Sequence, residues 1–482
     1  MPFGMRFRRR ALKKGSVADS LAWVDQFFRE AGEHIFAREE DDVIILPPNQ
    51  VYKANATGIS ILRHFLRGGR VRGIPGIQDA DRARDVAAFV SDLRSRYLGE
   101  AAAATDTVPY DFQYTTLPIL GEIAVTYRCN NACLFCYAGC GADSCAPLPG
   151  SPARPTAATP SALAGGREMT LTQCKRIIRL FREEAKIPFF SFTGGEPLLR
   201  PDLEEMIRFA VGIGLQVNLI TNGTLADARR AASLYRAGLR TAQVSVESPD
   251  EQRHDRLTAR PGSWRRTLDG LARLRAAGVS VQTNTTVTAA NAEDAPRMPA
   301  FLKGLGVRRF AMNLYLPPGA SAEEAGPHAA GLFVPYTRAG SIIEAVRAAA
   351  RTEGLIFYWY SPIPHCHYNT IAKGLGNKSC AAMDGLLSVS SAGDVLPCSS
   401  YPQPMGNLLR QSFQEIWFSS RAQFFKQKRY APSECGGCES FTACQAACPL
   451  YWRYAGTSEI RNRALVAAAA QANAPGAAAR AN

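Results

Sequence analysis

The sequence predicts an α/β protein: a parallel sheet, open or curled into a partial barrel, with a small winged-helix-like α+β module before it and a Cys-rich region after it. Three observations lead there. Between Pro118 and about Pro317, six apolar strand-like stretches alternate with segments whose apolar residues recur at helical spacing. Residues 21–100 hold three short apolar alternations ahead of two helix-spaced segments, and seven of the 13 cysteines fall between His365 and Leu450.

The elements follow in order along 482 residues, enough for two to four domains. Residues 1–20 read as a flexible basic tail; "MPFGMRFRRRALKKG" is followed by no apolar h-region, which argues against a secretory signal. The 21–100 module takes its strands from "EHIFARE", "DDVIILP" and "QVYKA" and its helices from "TGISILRHFLRGG" and "DADRARDVAAFVSDLRSRYL". In the core, residues 117–330, strands are expected at "EIAVTY", "PFFSFT", "QVNLIT", "AQVSVE", "VSVQTNTTV" and "RRFAMNLYL". Between them lie helices such as "LTQCKRIIRLFREEA", "LEEMIRFAVGI", "ARRAASLYRAG" and "SWRRTLDGLARLRAAG". Active sites of such sheets lie at the C-terminal strand ends. Residues 141–166, rich in Pro, Ala, Gly and Ser without periodicity, read as a flexible insertion. A helix around Ile342 to Thr352 leads to a C-terminal domain at 361–460 and an Ala-rich tail at 461–482.

Composition excludes some classes. No stretch reaches the roughly 18 apolar residues of a membrane span, and the protein reads as cytoplasmic, where 13 cysteines favour metal or catalytic roles over disulfides. The net charge of +14 concentrates in the first 14 residues and in scattered Arg such as Arg229, Arg230, Arg265 and Arg266. No nucleic-acid motif accompanies it, so a solvated arginine-rich surface is the reading, with an acidic peptide partner left open.

Chemistry enters at "CNNACLFCYAGC", where Cys129, Cys133 and Cys136 form C-x3-C-x2-C after the first core strand. Three such thiolates can hold three irons of a 4Fe-4S cube and leave the fourth open; a structural zinc would want a fourth ligand, and Cys140 and Cys145 lie on or beside the insertion. "FSFTGGEPLLR" then places Gly194, Gly195 and Glu196 just past the second strand. Two glycines let a ligand approach the backbone, and a carboxylate beside them can hold an ammonium group.

C-x3-C-x-aromatic-C on the first strand with GGEP on the second resembles the radical S-adenosylmethionine (SAM) enzymes. The resemblance covers Glu122 to about Leu316 and implies a partial (β/α)6 TIM-like barrel as the radical SAM core. It implies that Cys129, Cys133 and Cys136 ligate a cluster whose unique iron chelates SAM, and that Gly194, Gly195 and Glu196 contact the methionyl amine. Reduction would cleave SAM to a 5'-deoxyadenosyl radical that abstracts an unactivated hydrogen, with oxygen sensitivity as a corollary. A reductant such as a ferredoxin or flavodoxin is implied as a partner. Ser245 and Asn284 stand at strand ends where this family contacts ribose and carboxylate, with capping or packing roles as the alternative. Where relatives read Ser-x-Asp-Gly, this chain has Glu247 and Ser248.

Further on, Cys380-x12-Gly393-x4-Cys398 precedes Cys435-x2-Cys438-x5-Cys444-x3-Cys448. The last four alone fit a zinc knuckle. With the upstream pair they resemble the SPASM extension, which implies one or two auxiliary 4Fe-4S clusters. By that pattern Cys380, Cys398 and Cys448 share one cluster that Cys366 would complete. Cys435, Cys438 and Cys444 share the other, and no cysteine follows Cys448 to complete it. Cys174 reads as core packing, Cys140 and Cys145 as incidental. "DDVIILPPNQVY" and its surroundings look like leader-peptide-binding (PqqD-like) modules, similar to the peptide chaperone of pyrroloquinoline quinone biosynthesis, which recruit an extended peptide along a strand edge. The expected function is radical modification of a ribosomally made precursor peptide or protein. The alternatives are a small molecule such as a tetrapyrrole side chain, or a non-catalytic iron-sulfur electron carrier.

Overall fold

The computed structural model describes residues 20–46, 50–98, 115–140, 159–317 and 321–460. The expected basic tail (apart from Ser20), most of the insertion with Cys145, and the Ala-rich tail lie outside the described residues. The chain divides into two units, Met1–Ile119 and Leu120–Asn482.

The first unit opens with a helix that sequence reading passed over, Ala22–Ala31. Its apolar stripe is plain in retrospect: Val24, Phe27, Phe28 and Ala31 are buried at spacings of three, four and seven. Strands β1 (Phe36–Arg38), β2 (Val43–Leu46) and β3 (Gln50–Lys53) follow as an antiparallel meander in the order β1-β2-β3. All four residues of β2 are buried, and β3 pairs with it in antiparallel register. Asn55 caps the helix Ala56–Leu66 by accepting from Gly58 N–H at 2.8 Å, and the long helix Ala80–Leu98 closes the core with Val86, Val90 and Leu93. Phe28 stacks on Phe65 with ring centres 4.5 Å apart. A buried fork from Arg38 to both carboxylate oxygens of Asp41, each 2.7 Å long, ties β1 to the segment at Leu117 and Pro118, whose carbonyls accept from the same guanidinium.

The described residues of the second unit build one sheet of ten strands. The six expected strands are β4 (Leu120–Thr126), β5 (Phe189–Gly194), β6 (Gln216–Thr221), β7 (Thr241–Ser245), β8 (Ser280–Val287) and β9 (Arg309–Leu314). They lie side by side in chain order and all parallel. A monotonic order without a switch point is barrel winding rather than the doubly wound alternative, so the partial-barrel reading holds. Strand β10 (Ile356–Trp359), unforeseen, extends β9 in parallel after the helix Tyr336–Glu353, which is longer than expected.

Strand β11 (Leu386–Val389) pairs in parallel with β4, and β12 (Asp394–Leu396) and β13 (Gly406–Asn407) follow antiparallel. The Cys-rich region therefore builds onto the barrel sheet. Gly393 makes the β11–β12 turn at φ +84°, where a Cβ would lie 2.8 Å from the Leu409 side chain. Within the stretch expected to be an aperiodic loop, Pro160–Ala164 is a short helix capped by Thr159.

Each core strand has two faces. Phe190 meets Phe181 of the helix Leu171–Glu183 edge-on at 5.5 Å, which fixes the helix-covered side. The opposite side is polar. Glu122 and Ser191 are register partners, Asn218 donates to Ser191 at 3.1 Å, Gln282 donates to Gln243 and to the Tyr360 hydroxyl, and Asn284 donates to Asn313 at 2.7 Å.

Candidate functional site

All the residues singled out in the core lie at or near the C-terminal edge of the parallel strands, as expected for such a sheet. The loop carrying Cys129, Cys133 and Cys136 leaves β4 after Thr126. Backbone bonds hold it from outside: Ala132 N–H donates to Thr258 O at 3.0 Å and Leu134 N–H to Leu257 O at 2.8 Å, both acceptors at the end of the helix Glu251–Thr258.

The two glycines of GGEP serve this loop directly. Gly195 N–H donates to Thr126 O at 2.8 Å and Glu196 N–H to Arg128 O at 2.9 Å. A Cβ at either glycine would stand 2.2 Å from one of those same carbonyls, Thr126 O for Gly194 and Arg128 O for Gly195. The close approach inferred from the sequence is thus made by the chain's own cysteine loop. Gly194 also takes φ +122°, in the region that favours glycine.

Glu196 is fully buried and tied into the next strand end. Its Oε1 accepts from Leu198 N–H at 3.0 Å and the Thr221 hydroxyl at 2.7 Å, and its Oε2 from Asn222 N–H at 2.8 Å. Three of its roughly four lone-pair positions are filled within the chain. Burial nonetheless pushes the carboxyl above its usual range. Asn222 carries the connection back: its side chain donates to Asn130 at 2.9 Å and toward Cys129 Sγ at 3.9 Å. Ser245 and Asn284 are register partners on β7 and β8, and Asn284 Oδ1 is buried without a partner, an acceptor open to a ligand's donor.

Sequence reading missed two residues that brace the loop. Arg200 forks onto Asp202 at 2.8 Å and 2.8 Å and reaches Val125 O and Met169 O, while Glu168 accepts from Thr126, Arg128 and Arg200. Arg200 stands in the quoted "GGEPLLR", but nothing in spacing marks Glu168. Glu247 is buried too, with its Oε2 accepting from Thr286 N–H at 2.8 Å and its carboxyl pushed up to about 8 by burial. It holds the β7–β8 connection.

The thiols are crowded in a way that suits iron-sulfur clusters. Cys129 is pushed up to about 12 by burial, then by Glu196 and Cys136. Cys140, read as incidental, is buried with this group: its N–H donates to Cys136 Sγ at 3.3 Å, and its thiol is raised by a hydrogen bond with Cys136, by burial, and by all three triad cysteines. Cys174 is a fully buried core side chain, as expected.

In the C-terminal region the β11–β12 hairpin brings Cys380 and Cys398 to one end, and Cys448 joins them at the N-cap of the helix Pro449–Ala455. Cys398 is raised by burial, Cys380 and Cys448. The buried Lys428 ammonium secures the hairpin base, donating to Cys380 O and to Asp384, each at 2.8 Å. Three successive residues with positive φ, Gln445, Ala446 and Ala447, separate Cys448 from Cys444. Cys435 is pushed up to about 12 by burial, then by Cys444, Cys366 and Cys438. The turn at His365, next to Cys366, docks on Cys444, its N–H donating to the sulfur at 3.3 Å.

A cubane spreads its thiolates over four irons, and buried thiols that raise one another's pKa call for such cationic compensation. The donor sets fit that group. No helix among the described residues is long and apolar enough to cross a membrane.

Comparison with known proteins agrees with this geometry. The Radical SAM superfamily profile matches residues 123–314, and that of the iron-sulfur cluster-binding SPASM domain matches residues 380–439. The AdoMet-dependent heme synthase of Methanosarcina barkeri is 30% identical over 350 residues, 68% of this chain and 91% of that protein. The PqqA peptide cyclase of Xanthomonas axonopodis pv. citri is 28% identical over 331 residues, 67% and 80% of the two chains. Streptococcus suis SuiB, crystallised bound to precursor peptide SuiA, superposes with a TM-score of 0.61 at 15% identity, covering 87% of this chain and 98% of that one. The chain is an enzyme with 4Fe-4S clusters and SAM as cofactors, and it belongs to the radical SAM superfamily, with a C-terminal SPASM iron-sulfur domain.

Proposed function

We propose that this radical SAM/SPASM enzyme is a cytoplasmic maturase of a ribosomally synthesised peptide or protein, reduced by a ferredoxin- or flavodoxin-like carrier. The observation that carries the peptide reading is the small three-stranded antiparallel meander of the first unit, in the order β1-β2-β3, placed ahead of the barrel in the chain. An extended peptide adds to a sheet of this kind by main-chain hydrogen bonds, and a tethered recruitment site raises the local concentration of the segment to be modified. The SuiB likeness supports the same reading at the level of fold. The second unit is only 363 of 482 residues, so a match covering 87% of the chain reaches into the first.

The polar inner face of the barrel adds chemistry to match. Amide side chains at Asn218, Gln243, Gln282, Asn284 and Asn313 offer donors and acceptors of the kind a peptide backbone pairs with.

Once bound at Cys129, Cys133 and Cys136, the cluster with SAM would supply a 5'-deoxyadenosyl radical able to attack unactivated C–H bonds. The chain's part is positional. Gly194 and Gly195 let the cysteine loop close on β5, Glu196 locks that loop to β6, and Ser245 and Asn284 present polar atoms from the next two strands. The second reading, modification of a tetrapyrrole side chain, is favoured by the 30% identity to a heme synthase.

The experiment is anaerobic turnover of the reconstituted enzyme with SAM, reductant and a short peptide encoded beside its gene, set against a tetrapyrrole, with mass spectrometry of both. Modified peptide with unchanged tetrapyrrole is expected. Modification of the tetrapyrrole alone would reverse the assignment.

A further inference from the structure

The second auxiliary set, Cys435, Cys438 and Cys444, has no cysteine after Cys448 to complete it. The first set has two buried thiols and one half-buried thiol, Cys380, Cys448 and Cys398, at one end of the β11–β12 hairpin. One further cysteine, Cys366, lies in this part of the chain. Which set it joins decides which cluster is left with an iron lacking a thiolate.

Local geometry answers this. Cys366 sits in the turn after Pro364, closed by His367 N–H donating to Pro364 O at 2.9 Å. The preceding His365 N–H donates to Cys444 Sγ at 3.3 Å, which docks the turn on a member of the second set. Both Cys366 and Cys438 are exposed, whereas Cys380 and Cys448 are buried. Of the remaining described cysteines, Cys140 belongs with the triad at β4 and Cys174 is packed in the core.

We propose that Cys366 is the fourth thiolate of the cluster held by Cys435, Cys438 and Cys444, and that the cluster of Cys380, Cys398 and Cys448 keeps one iron without a thiolate from the described residues. A ligand from upstream thus completes that set. The iron free to take a non-thiolate ligand is then in the buried set on the β11–β12 hairpin. This rests on the assignment of both sets to auxiliary clusters.

The test is cysteine protection in the full chain. Anaerobically reconstituted protein is alkylated with iodoacetamide while a chelator strips iron, and labelling of each cysteine is followed by mass spectrometry. Cys366 is expected to be protected when loaded and to lose protection in step with Cys435. In Cys438→Ala/Cys444→Ala, Cys366 and Cys435 should label together while Cys380, Cys398 and Cys448 stay protected. Cys366 that stays protected in that variant, follows Cys398, or labels in the loaded wild type overturns the proposal. If the variant does not fold, the wild-type time course decides alone. Protein that binds no iron at all seven cysteines would instead overturn the underlying auxiliary-cluster assignment.

Discussion

The carboxylate of Glu196 accepts a hydrogen bond from the backbone N–H of Asn222 at 2.8 Å, joining the end of β5 to the end of β6. Through the Asn222 side chain the link continues to Asn130, beside the first cluster cysteine. One buried acid thus couples the GGEP turn to the cysteine loop.

Glu196→Gln keeps the shape but replaces one acceptor oxygen by a donor. The amide must then face either Leu198 N–H or Asn222 N–H, leaving a buried donor unpaired at a cost of about 1–3 kcal/mol. Denaturant unfolding should show that loss. Iron content should fall at the β4 site before the auxiliary ones.

Gly195→Ala should be harsher on the site than on the fold. The new Cβ would stand 2.2 Å from Arg128 O, so the cysteine loop must lift away from β5. Reconstituted iron is expected to drop from about twelve to about eight per chain, with the auxiliary signals kept in electron paramagnetic resonance spectra.

Lys428→Met removes the fully buried ammonium that pairs with the nearly buried Asp384 carboxylate. Breaking such a pair from one side costs about 3–5 kcal/mol. The double variant Lys428→Met/Asp384→Leu should recover most of it, as measured by urea unfolding of both against wild type.

Glu247 gives a pH signature of defined sign. Its folded pKa of about 8 lies above the unfolded value near 4.5, so between those values the folded chain holds a proton that the unfolded chain has lost. Stability therefore falls as pH rises through the window, by up to about 1.4 kcal/mol per unit, and is unaffected by this group below it. In Glu247→Gln that contribution disappears. Its stability relative to wild type should grow from pH 5 to pH 8 and then level off; a difference independent of pH would show that burial does not perturb the group.

Much of this was legible because periodicity and spacing are local properties. The six core strands and the cysteine loop after the first of them stand where their patterns place them. What was missed depends on partners distant in sequence. The helix Ala22–Ala31 carries its stripe in a short window beside a basic tail. Strand β11 reveals nothing of its pairing with β4, which lies some 260 residues earlier. Cys366 is a lone cysteine by spacing and acquires a neighbourhood only when its turn docks on Cys444. Conversely, "GG" reads as room for a ligand, and only the fold shows that a Cβ at either position would also meet a carbonyl of the cysteine loop, Thr126 O or Arg128 O.

The most direct measurement of the account is iron and sulfide content with a dithionite-driven 5'-deoxyadenosine assay, for wild type and for Cys129→Ala/Cys133→Ala/Cys136→Ala. The geometry predicts about twelve irons falling to about eight, with 5'-deoxyadenosine formation lost. A variant that keeps its full iron complement, or that still cleaves SAM, would contradict the placement of the radical cluster at the end of β4.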